Sequence, residues 1–113
     1  MAATNRLFIA PPHPVEKALK DLGTNLRTAR LRRKMTIEDV ATRIGTGPRA
    51  VMEAEKGKPS TGAAVYLALL WAYGLLAPVE ELADPTTDTE GLARDSASGR
   101  VRARKSAALD NDF

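Results

Sequence analysis

The chain has 113 residues, room for one domain and little more. Apolar residues make up 43% but aromatics only 4%, so any core must be aliphatic, which suits packed helices better than a β-sandwich. The absence of cysteine excludes disulfides, iron–sulfur clusters and thiolate zinc sites and fits a cytoplasmic chain, while the longest apolar stretch, Gly62 to Leu76, is shorter than the ~20 residues a membrane helix needs.

The net charge of +3 is unevenly distributed. Residues 1–60 hold twelve Lys/Arg against six Asp/Glu; residues 61–93 hold five acids and no base; residues 94–113 hold five bases against three acids. A basic face on a small domain points to nucleic acid, and a merely solvated helix surface is the bland alternative.

In chain order, residues 1–14 contain Pro11, Pro12 and Pro14 and the lone His13. This arm is too short in apolar residues for a signal peptide, but Arg6 to Ala10 could pair as a short strand in a dimer. From Val15 the residues Val15, Leu19, Leu22, Leu26 and Ala29 form one helical stripe, which Gly23 interrupts, so the first helix starts either at Val15 or near Thr24. Its polar side is basic: Arg27, Arg30, Arg32, Arg33 and Lys34.

A second helix is predicted from Thr36, where Thr36 and Asp39 make a capping box, to Gly45, a left-handed terminator. Its apolar positions are Ile37, Val40, Ala41 and Ile44. Gly47 and Pro48 open a third helix that runs to Lys56, with Val51, Ala54 and Glu55 inward. At 100° per residue, Arg49, Met52, Glu53 and Lys56 share one outer arc about 100° wide. The next run, Ala63 to Tyr73, is apolar all round and implies cover from a second subunit, with Tyr66, Leu70, Trp71 and Tyr73 at the interface. A short fifth helix is expected over Pro78 to Ala83, and residues 86–113 read as a polar tail, disordered from residue 94. The domain proper spans residues 15–85.

Two short helices joined by a glycine-containing turn of about three residues make a helix-turn-helix unit. Its second helix enters the major groove N-terminal end first, so Arg49, Glu53 and Pro48 would meet base edges. Arginine forks onto guanine and glutamate accepts from cytosine, which predicts G·C pairs as targets; an Arg49–Glu53 ion pair on the helix surface is the competing reading. Phosphates would be met by the amides of Thr36 and Ile37, by the Thr46–Gly47 turn, and by Lys56 and Lys58. Arg32, Arg33 and Lys34 either touch the backbone or only hold solvent.

The stretch Leu26 to Gly57, with Arg30, Ala41, Gly45, Val51, Glu55 and Gly57 at signature positions, resembles the Cro/C1 (XRE-type) helix-turn-helix family. The resemblance implies an all-α, five-helix, lambda-repressor-like domain with flexible N- and C-terminal arms. It also implies an ion pair between Arg30 and Glu55, structural because a buried charge is costly unless paired. The chain departs from the family at Ile37, where glutamine is common, and at Gly47 and Pro48, where Ser, Thr or Gln usually stand. The segments Tyr66 to Leu76 and Glu81 to Gly91 resemble antitoxins of the HipB type. That likeness implies a homodimer on a palindromic double-stranded operator, repression of its own operon in the bacterial cytoplasm or nucleoid, and a HipA-like Ser/Thr-kinase toxin as partner. The basic segment Gly99 to Lys105 is then either an extra contacting arm or an inert tail.

Enzymatic chemistry finds no foothold. His13 has no ligand or triad partner nearby in sequence, and Asp84, Asp88 and Glu90 lack the glycine and terminal acid of a calcium loop, so neither a metal nor another cofactor is expected. A stand-alone Cro/C1-type regulator without a toxin and a protein-interaction adaptor are the alternatives.

Overall fold

A computed structural model describes the backbone of residues 5–110 and side chains through Gly99. Every regular element among the described residues is helical: α1 (Arg6–Ile9), α2 (His13–Arg32), α3 (Ile37–Ile44), α4 (Pro48–Glu55), α5 (Ala63–Ala72), a 3₁₀ turn (Ala77–Glu81) and α6 (Thr89–Asp110). The chain divides into two compact units, residues 1–77 and 78–113. No described helix is long and apolar enough to cross a membrane.

The first unit forms around one aliphatic centre. Leu26 of α2, Val40 of α3, Val51 of α4 and Leu69 of α5 are fully buried. Ala29, Ala41, Ala54 and Ala72 lie between them, and their small side chains let the four helices approach closely. Leu19, Leu22, Met35, Ile37, Ile44, Val65 and Leu70 close the rim of this centre.

Local rules account for α3 and α4. The Thr36 hydroxyl accepts from the Asp39 amide at 3.0 Å while the Asp39 carboxylate accepts from the Thr36 amide at 3.0 Å, the reciprocal cap that starts α3. Gly45 ends it at φ 81°, its amide bonding the Thr42 carbonyl and the Thr46 amide bonding the Ala41 carbonyl. Pro48 then sits in the first turn of α4, where a missing N–H costs nothing.

Three expectations need correction. Arg6–Ile9 is one helical turn and not a strand: the Asn5 side chain accepts from the Leu7 amide at 2.9 Å, a local cap that needs no second chain. α2 begins at His13, with Pro14 tolerated in the first turn, and runs through Gly23 without a break. A Cβ on Gly23 would lie 2.6 Å from the carbonyl oxygens of Ala54 and Glu55 and 2.8 Å from the Gly57 nitrogen. Glycine at 23 therefore serves close packing against the end of α4 and does not interrupt α2.

The third correction concerns the tail. Residues 89–110 are helical, entered through Asp88, whose carboxylate accepts from the Gly91 amide at 3.0 Å. Lacking an apolar period, the segment has no face to bury, but its Ala, Arg and Lys content favours a helix nonetheless. α1 and α6 thus add to the five expected helices, and the expected fifth is the 3₁₀ turn. The outer parts of both arms, residues 1–4 and 111–113, and the side chains of the basic segment from Arg100 onward lie outside the described residues.

Candidate nucleic-acid interface

α4 contacts α2, α3 and α5. Val51 and Ala54 fill its inner side with no exposure, and the opposite side faces solvent. The three residues Gly45, Thr46 and Gly47 join it to α3, giving the helix–turn–helix arrangement in which the second helix is held from behind.

The hold includes a buried charge pair. Arg30 Nε lies 2.7 Å from Glu55 Oε2 and Nη2 lies 3.0 Å from Oε1, a two-pronged contact whose side chains are 8% and 7% exposed. Arg30 Nη1 also donates to the Met35 carbonyl at 3.0 Å, so α2, the α2–α3 turn and α4 share one guanidinium. Parallel N–H···O bonds of this kind fix direction as well as distance.

On the outer side the Arg49 side chain is 89% exposed, one turn before Glu53, which is 27% exposed. Arg49 Nε lies 3.3 Å from Glu53 Oε1, and Lys58 Nζ approaches the same oxygen at 3.7 Å. The helix-surface ion pair is thus present in the free chain. At such exposure it is worth only a few tenths of a kcal/mol, so guanine can displace it. Pro48, lacking an N–H, can offer only apolar contact. Lys56 is exposed at the end of α4, and Met52, 44% exposed, shares the arc.

The expected phosphate donors divide into free and occupied groups. The Thr36 amide is bonded to Asp39, and that bond, the largest cause, holds the Asp39 carboxyl below its ordinary range. A carboxylate therefore already occupies the anion position at the first turn of α3. The Thr46 amide is likewise taken, by the Ala41 carbonyl at 2.9 Å. The amides of Ile37 and Gly47 have no acceptor among the described residues. The capping box read from the sequence already assigns the Thr36 amide to Asp39, whereas no residue pattern marks the Thr46 amide as taken by Ala41.

Arg33 belongs to the fold. Its guanidinium donates to the carbonyls of Ala29 at 2.9 Å and Tyr73 at 2.8 Å and lies 5.5 Å from the centre of the Tyr73 ring. It thereby satisfies a carbonyl at the C-terminal end of α5. Tyr66 and Tyr73 are buried in the chain's own core, which pushes both phenols up from their ordinary range, and Tyr66 donates to the Lys58 carbonyl at 2.9 Å. They are therefore not exposed interface residues, as the all-round apolar character of the segment had suggested. Leu70 is half-buried, while Trp71 is 55% exposed beside Leu67 and beneath the Arg43 guanidinium at 5.9 Å.

Neither curated proteins nor solved structures give a match to the chain. The pattern of the helix-turn-helix domain family matches residues 21–84, from the middle of α2 to just past the 3₁₀ turn. With that match across more than half its length, the chain belongs to the helix-turn-helix domain family of the Cro/C1 type, the DNA-binding regulators whose defining helix pair is α3 and α4 here.

Proposed function

We propose that this protein is a sequence-specific repressor that binds a two-fold operator as a homodimer, reading G·C pairs with Arg49. One observation carries the reading: α4 is anchored along its buried side and presents Arg49 almost wholly to solvent at its leading end. The Ile37 and Gly47 amides, Lys56 and Lys58 supply phosphate contacts around that helix. Two copies place their α4 helices about one DNA turn apart, ~34 Å, or a multiple of it.

Arg49→Ala should weaken operator binding by about 1–3 kcal/mol, roughly 5- to 150-fold, and relax preference at one base position. The check is a binding series on the footprinted promoter of its own gene and on random DNA. Equal loss on both would remove Arg49 from base reading, and an absence of any salt-dependent DNA binding would favour a protein-interaction adaptor.

The outer face of α5 supports the dimer, since Leu67 and Trp71 are exposed on a helix with no charged side chain. Trp71→Glu should halve the mass seen by light scattering without loss of helicity. A variant that stays dimeric would exclude this face from the interface.

The likeness of residues 66–91 to HipB-type antitoxins supports a cytoplasmic toxin–antitoxin role with a HipA-like Ser/Thr-kinase toxin as second partner. Copurification of such a kinase from the native operon tests this; a chain that represses its promoter without one is a stand-alone regulator.

A further inference from the structure

A second cationic element lies beside α4, and its principal residue is on α2. Arg27, Ile37, Met52, Glu55 and Lys56 line a cleft of about 190 Å³. Arg27 and Lys56 are exposed, and Arg27 makes no ion pair with any described residue. The one acid in the lining, Glu55, is already neutralised by the two bonds from Arg30. What remains is two positive charges over a floor of Ile37 and Met52.

We infer that this cleft seats a phosphate of the DNA backbone, with Arg27 as its chief ligand, Lys56 beside it, and the sugar against Ile37 and Met52. The inference rests on the reading of α4 as the groove-entering helix. Two features support a backbone phosphate. Met52 and Lys56 belong to the same outer arc as Arg49, so a strand bordering the groove that α4 enters runs past the cleft. Planar guanidinium donors match two phosphate oxygens at once.

Arg27 is about 60° around α2 from Arg30, the residue that anchors α4. The buried guanidinium thus sets the position of α4 while its exposed neighbour on the same flank reaches the ligand. The protein's interface with DNA then spans α2 as well as α3 and α4.

The test compares the full-length protein with its Arg27→Ala, Arg27→Lys and Arg32→Ala variants, on a mixed-sequence duplex and on the promoter fragment, over a range of KCl concentrations. Arg32 is a suitable control, since it lies about 140° around α2 from Arg27 and lines a different cleft. Arg27→Ala should reduce the slope of log K against log salt by about 0.9 and weaken both duplexes by the same factor. Arg27→Lys should keep the wild-type slope, Arg32→Ala should leave it unchanged, and all variants should melt as the wild type does. A wild-type slope in Arg27→Ala overturns the inference, and so does an equal fall in Arg32→Ala, which would mean diffuse charge and no site. Failure of the parent reading is separately visible: the wild-type protein itself would then bind neither duplex with a salt dependence.

Discussion

Replacing Arg30 by alanine should cost the fold about 3–5 kcal/mol, measured as a shift of the urea midpoint at unchanged slope. Domains of this size are stable by only about 5–15 kcal/mol, so the variant should be close to unfolding at ambient temperature. The cost arises less from the lost attraction than from what is left behind. Glu55 would stay 7% exposed with no counter-charge, and the Met35 carbonyl would lose its donor. A paired replacement, Arg30→Met with Glu55→Leu, removes both charges and should recover most of the loss, because two apolar side chains of similar volume avoid the desolvation cost. An alanine variant within about 1 kcal/mol of wild type would show that the pair is hydrated and that α4 is held by Val51 and Ala54 alone.

Gly23→Ala gives the second large effect, and its sign is the informative part. In an exposed helix this change stabilises, by up to about 1 kcal/mol. Here the new methyl would meet two carbonyl oxygens at 2.6 Å and a backbone nitrogen at 2.8 Å. None of these belongs to a side chain that can swing away. Gly57 meets α2 from the other side: at φ 69° its own Cβ would fall 2.5 Å from the Leu19 carbonyl oxygen. The two backbones touch, so the end of α4 must move, and the net effect should be a loss of about 1–3 kcal/mol. DNA affinity should fall with it although no DNA-facing residue has changed, since a helix displaced at its C-terminal end no longer aims Arg49. A stabilised variant with unchanged DNA binding would mean that the α2–α4 junction is soft and does not position the interface.

These two residues also show how far the chain can be read without its fold. Arg30 and Glu55 become a pair at the sequence level only through the family resemblance; spacing alone leaves Glu55 an odd acid on an inner face. Gly23 reads as an interruption because its reason is 31 residues away, at Ala54. Arg33 reads as one more basic side chain because its acceptor, the Tyr73 carbonyl, is separated from it by 40 positions. The α5 rings mislead for a related cause. Composition shows that the segment is apolar on every side, but not which side α3 and α4 will cover, and the structure covers Tyr66 and Tyr73 while leaving Trp71 open.

What was settled by sequence alone is what interactions within about four residues control: the Thr36–Asp39 box, the left-handed Gly45, the Gly47–Pro48 start of α4, and hence the outer arc that carries Arg49. Tertiary structure decided which of those exposed groups remain free. It closed Arg30 onto Glu55, tied Arg33 to the Tyr73 carbonyl, and opened the Arg27 cleft beside α4. The physical reason is that a donor or a charge acts on a partner only after neighbouring groups have been satisfied. Those neighbours come together only when α2, α3, α4 and α5 have packed.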